Sequence, residues 1–140
     1  MSDRTYRAAI ARGLDASLTR ATAVSWDMET ESFIVFSDLH RGQGDHADDF
    51  RVSAGTYRRA LRFYLDAGYG LVSLGDAEEL WEGWPRKVIP TYRDVLELEA
   101  RFHTGAGGRF HKIWGNHDDL WQYPDQVERH LGPVFGELRV

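Results

Sequence analysis

Phe33-Ile34-Val35-Phe36-Ser37-Asp38-Leu39-His40 decides the architecture. Its first four residues are β-branched or aromatic and do not alternate, the pattern of a short strand covered on both faces. Directly after them stand a carboxylate and an imidazole. The arrangement returns twice: Leu71-Val72-Ser73-Leu74 leads into Gly75-Asp76-Ala77-Glu78-Glu79, and Phe110 to Trp114 leads into Gly115-Asn116-His117-Asp118. Between the first two runs, Phe50, Ala54, Tyr57, Leu61 and Leu65 recur at helical spacing. They predict a helix from about Ala47 to Asp66, with Asp45 or Asp48 near its cap, Gly55 as its weak point and Ala67-Gly68 as its end. Between the second and third runs, Tyr92, Val95, Leu96 and Phe102 share a helical face, and Gly105, Gly107 and Gly108 break the chain after them. Strand, helix, strand, helix, strand with long crossovers predicts an α/β fold with a parallel sheet and right-handed connections.

The flanks read differently. Tyr6, Ile10, Leu14 and Leu18 recur every four residues from about Arg4, predicting an amphipathic helix that ends before Ser25, so residues 1–26 form an N-terminal helical segment ahead of a main unit over 27–140. Asp125 to Leu131 reads as a further helix, and Gly136-Glu137-Leu138-Arg139-Val140 alternates like an opening strand.

Composition removes several classes of function. The 140 residues are 42% hydrophobic and 28% charged, which fits one globular unit. Seventeen Lys and Arg against 22 Asp and Glu leave a net charge of -5, so no overall positive field gathers nucleic acid. There is no cysteine, hence no disulfide, thiolate zinc site or thiol catalysis. No apolar run approaches the roughly 20 residues of a membrane span, and the N-terminus carries no apolar signal core, so a cytoplasmic location is expected.

Loops at the carboxyl ends of parallel strands converge on one crevice, where ligands bind. The three polar clusters are therefore expected to meet, although they are far apart in sequence. Together they offer the carboxylates Asp38 and Asp76, the imidazoles His40 and His117, and the amide of Asn116. Mixed oxygen and nitrogen donors without sulfur suit manganese, iron, zinc or nickel. In an extended turn Asp38 and His40 would point the same way, with Leu39 facing the core. Each cluster alone is also an ordinary turn: Asp-x-His a cap, Gly-Asp a turn pair, Gly-Asn-His-Asp a left-handed turn capping a short helix. Their common register at successive strand ends favours a metal site.

With Asp-x-His, Gly-Asp and Gly-Asn-His-Asp each following a strand, the stretch from Phe33 to Leu120 resembles the calcineurin-like metallophosphoesterases. The resemblance implies the parallel-sheet half of an α/β/β/α sandwich holding two divalent cations, manganese first, with iron, zinc or nickel as the other candidates. By the same resemblance Asp38 and His40 bind one ion, Asp76 bridges both and Asn116 binds the second. His117 is then the residue that contacts the phosphate and assists the leaving group, with Asp118 orienting it. Gly75-Asp76-x-x-Glu79-x-Trp81 looks like the UDP-2,3-diacylglucosamine pyrophosphatase group, which has Arg where His117 stands here, so the subfamily stays unassigned. The superfamily closes its site with later histidines, including a Gly-His-x-His pair that this sequence lacks. The expectation is accordingly the N-terminal half of a longer enzyme, truncated at its C-terminus, or else a decayed relative.

The implied reaction is hydrolysis of a phosphate mono- or diester on a phosphorylated small molecule or nucleotide by a metal-bridging hydroxide, since two cations about 3.5–4 Å apart activate the nucleophile and clamp the phosphate. The alternative is a non-catalytic metal- or phosphate-binding module. Arg41, next to His40, is a candidate for binding the substrate phosphate with its planar fork, or else a solvated loop arginine. Gly42-Gln43-Gly44 reads as a flexible loop. Trp81, Trp84 and Trp121 read as core or cap packing, or else as the lining of a hydrophobic or base-stacking pocket. Arg58, Arg59 and Arg62 read as a solvated basic stripe, and His46, His103, His111 and His130 carry no role.

Overall fold

Three strands, β1 (Phe33–Phe36), β2 (Gly70–Leu74) and β3 (Phe110–Ile113), form a single parallel sheet in the order β1-β2-β3. They are seen in a computed structural model that describes residues 3–21, 23–105 and 108–140; Gly107, expected among the chain-breaking glycines, lies outside the described residues. The helices are α1 (Asp3–Arg20), α2 (Phe50–Asp66), α3 (Pro85–Thr91), α4 (Arg93–Thr104), α5 (Pro124–His130) and α6 (Gly132–Phe135). The fold is thus mixed α/β, as the strand and helix periodicities require. Register pairs Phe36 with Ser73 and Ser73 with Lys112, so the three strands finish level and their C-terminal loops leave one edge together.

The core lies on one face of the sheet. Phe50, Ala54, Tyr57 and Leu61 line the buried side of α2, and Val95, Leu96, Leu98, Ala100 and Phe102 that of α4. Leu71 and Phe110 meet them from the sheet, with Ile34 and Phe36 packed alongside. The opposite face is only partly covered. Trp26 stacks on Phe33 at 4.3 Å, but Val35, Leu74 and Ile113 remain 50%, 44% and 46% exposed. The expectation that β1 is covered on both faces is corrected: its apolar run reflects one packed face and one open one.

Four further expectations change. The helix expected from Ala47 starts at Phe50, because Asp48 turns inward and its Oδ2 accepts from Gly44 N (2.7 Å) and Tyr92 OH (2.6 Å) instead of capping. The helix from Tyr92 becomes α4, and a helix the sequence reading did not anticipate, α3, precedes it, with Pro85 in the first turn, where its missing N–H costs nothing. The terminal Gly136 to Val140 segment is not a strand: Gly136 turns at φ 73°, and Leu138 and Val140 pack against the core rather than pairing with the sheet. The N-terminal helix forms as α1 but buries none of its residues. Among the described residues no helix is long and apolar enough to cross a membrane.

Candidate metal centre

Parallel pairing continues past the strand ends and knits the three loops together. Asp38 N donates to Gly75 O (3.3 Å), His40 N to Asp76 O (2.9 Å) and Arg41 N to Ala77 O (3.0 Å), while Glu79 N returns a bond to Arg41 O (2.9 Å). The third loop joins through His117 N, which donates to Asp76 Oδ1 (2.8 Å), and through Leu80 N, which donates to His117 O (3.0 Å). Gly75, at φ 67°, brings its loop so near Gly115 that an added Cβ would lie 3.3 Å from the Gly115 Cα. Gly115 in turn has no room for a side chain, because Asp76 occupies the space.

Asp38, His40 and Asp76 each bring a ligand atom within 4.8 Å of the other two. They are also the three described non-glycine residues with positive φ, at 53°, 47° and 50°. Such backbone is sparsely populated, costs about 1–3 kcal/mol per residue and clusters at functional sites. The turn is therefore not extended, as expected from Asp-x-His spacing, although Leu39 does pack against the core. Ser37 Oγ donates to Asp38 Oδ2. Asn116 stands exposed in the third loop beside His117.

A second trio shares His40: His40, Glu79 and His117 also lie within 4.8 Å of one another. Glu79 Oε2 is 3.0 Å from His40 Nδ1 and 2.7 Å from His117 Nδ1. Its other oxygen accepts from the backbone N–H of Trp81 (3.0 Å) and of Glu82 (3.4 Å). Burial alone pushes this carboxyl up, but bonds to the two histidines outweigh it and hold Glu79 below the usual glutamate range. The His117 ring is enclosed further. The His40 ring meets it edge-on at 4.5 Å, and the Trp81 indole stacks on its face at 4.1 Å and 24°.

Two of the expected roles move. Arg41 is 1% exposed and does not face solvent, so it is not the substrate-binding arginine expected from its position. Its guanidinium donates to Glu78 Oε1 (2.6 Å), Glu99 Oε1 (2.7 Å) and Ala77 O (3.2 Å). Lys112 Nζ and Trp121 Nε1 both donate to Glu78 Oε2 at 2.8 Å, and Tyr57 OH donates to Glu99 Oε1 at 2.7 Å. Two cations and two carboxylates balance beneath the loops, the condition for burying charge at all. Asp118 likewise does not orient His117. Its fully buried carboxylate accepts from the N–H groups of Gly115 (2.6 Å), Asp76 (3.2 Å), Ala77 (2.9 Å) and Glu78 (3.4 Å), clamping two loops, while Glu79 orients the imidazole. Burial and the neighbouring Glu78 push the Asp118 carboxyl up.

Sequence reading assigned Glu79 no role; its signal lay in the quoted Gly-Asp-x-x-Glu-x-Trp spacing. Of the tryptophans, Trp121 is core, as expected, whereas Trp81 and Trp84 are 65% and 64% exposed. The Gly42-Gln43-Gly44 loop is fastened at both Gly44 N and Gln43 Nε2, the latter donating to Glu82 O at 3.1 Å. Arg59 and Arg62 are exposed, and Arg58 pairs with Asp94 at 2.5 Å. Compared with family models, curated proteins and solved structures, the chain matches none of them.

Proposed function

We propose that this chain carries the site of a metal-dependent phosphoesterase of the calcineurin-like kind, acting on a phosphate mono- or diester. The supporting observation is the convergence of Asp38, His40 and Asp76 within 4.8 Å, each on left-handed backbone. Two carboxylates and an imidazole without sulfur fit manganese, iron, zinc or nickel. When bound, such cations neutralise phosphoryl oxygens and lower the pKa of a coordinated water. Asp38, His40 and Asp76 would hold them, with Asn116 as a further oxygen donor. Glu79 at His117 Nδ1 fixes the ring, so proton transfer to a leaving oxygen falls to Nε2. The buried Arg41, Glu78, Glu99 and Lys112 hold the loops in place and do not touch substrate.

One observation favours a non-catalytic metal- or phosphate-binding module instead. His103 faces Glu137 O (2.7 Å), His111 lies against Trp26 and Phe33, and His130 lies near Trp121, so none of these joins the centre as a ligand for a second cation. Hydrolysis of bis-p-nitrophenyl phosphate and p-nitrophenyl phosphate with Mn2+ separates the two. Turnover abolished by Asp76→Ala and by chelation supports the enzyme; metal binding without turnover selects the module; neither binding nor turnover overturns both.

A further inference from the structure

Trp81 leaves most of its surface in water while one face covers the ring that the proposed reaction uses. A 65% exposed indole is costly apolar surface, and here it is stacked at 4.1 Å and 24° on His117 with its backbone N–H tied to Glu79. Three residues on, Trp84 is 64% exposed, and the Arg86 guanidinium lies 5.7 Å over its ring. Two exposed indoles therefore occupy the segment that follows the second metal loop, and neither contributes to the buried core.

We propose that Trp81 is the specificity platform of the site and that the alcohol esterified to the phosphate is a nucleoside, whose flat heteroaromatic base stacks on the indole. The inference rests on the phosphoesterase reading and names its substrate class. An indole stacked on His117 and still 65% exposed offers a π-surface close to parallel with the His117 ring, and every nucleobase stacks on such a surface without needing hydrogen-bond readout. Glu79 holds Trp81 N as well as the two imidazoles, so the platform and the reacting ring move as one unit.

The test is calorimetric titration of the Mn2+-loaded chain with AMP and with ribose 5-phosphate, which carry the same phosphate ester with and without a base. AMP is expected to bind about tenfold more tightly, the ratio given by about 1.4 kcal/mol of stacking. Trp81→Ala is expected to bring that ratio close to one by weakening AMP alone, and Trp81→Phe to keep most of it. Circular dichroism of the variants checks that the fold is kept. Equal binding of the two probes by the unaltered chain, or equal weakening of both in Trp81→Ala, overturns the platform while leaving the phosphoesterase reading intact. Binding of neither probe to the Mn2+-loaded chain overturns the platform and the monoester form of that reading.

Discussion

Glu79 Oε2 lies 2.7 Å from Nδ1 of His117, so that ring is oriented by a carboxylate three residues beyond Asp76 rather than by the adjacent Asp118. Carboxylates that orient a functional imidazole are worth about 10–100-fold in activity or metal affinity. Glu79→Gln is therefore expected to lower kcat with Mn2+ by about that factor while the melting temperature changes little. Steady-state kinetics and a thermal melt check both, and an unchanged kcat would remove Glu79 from the site.

Gly115→Ala targets Asp76 without altering any donor. An added Cβ overlaps Asp76 Oδ1 and lies 2.8 Å from Asp76 N, both parts of the loop that meets Asp38 and His40. The expected outcome is a loss of Mn2+ affinity of at least about tenfold, of the order found when groups supporting metal ligands are displaced. Isothermal titration measures it; wild-type affinity in the variant would mean that the Asp76 position is not what binding depends on.

Arg41→Ala separates a structural arginine from a substrate-binding one. Removing a buried partner leaves Glu78 and Glu99 short of a cation and costs about 3–5 kcal/mol. Urea denaturation is expected to show that loss. A fully stable variant with a raised KM would restore the phosphate-binding role.

Acid sensitivity follows from Glu78. Burial pushes this carboxyl up, but Lys112 and Arg41 outweigh burial and bring it down from 4.5 to about 2. Because the folded value is the lower one, the stabilisation is present above about pH 4.5 and disappears as pH falls from there through about 2. The shift corresponds to about 3 kcal/mol. Asp118, shifted upward, works in the opposite direction and softens the slope. Glu78→Gln should lower stability at neutral pH and flatten the acid limb in melts between pH 2 and 6; an unaltered limb would assign acid lability elsewhere.

The strands and the converging clusters were legible because they rest on local pattern: the runs Phe33 to Phe36, Leu71 to Leu74 and Phe110 to Trp114 are each followed by a polar cluster, and the third strand stops one residue earlier, at Ile113. Glu78 and Glu79 were not separable by pattern. Adjacent and chemically identical, they point to opposite environments, one under Lys112 and Trp121 and the other between two imidazoles. Lys112 in the middle of β3 is a related case, since a lysine is rarely buried unless a carboxylate from another element meets it, as Glu78 does here. Arg41 misled in the same way: its neighbour His40 turns to Glu79 and His117 while Arg41 enters the interior, and only the three-dimensional pairing of Arg41 with Glu78 reveals the difference. Asp76, by contrast, meets Asp38 and His40 as its place just past a strand end led one to expect, because a level parallel register brings the loops after the strands to one edge.

Anomalous diffraction at the manganese edge from crystals of the full chain grown with Mn2+ tests the site most directly. A cation centre built from these loops requires a strong anomalous peak within coordination distance of Asp38, His40 and Asp76 together, lost in Asp76→Ala. Crystals retaining the three-stranded parallel sheet with no peak there, or with manganese bound only at surface carboxylates away from these residues, would contradict it.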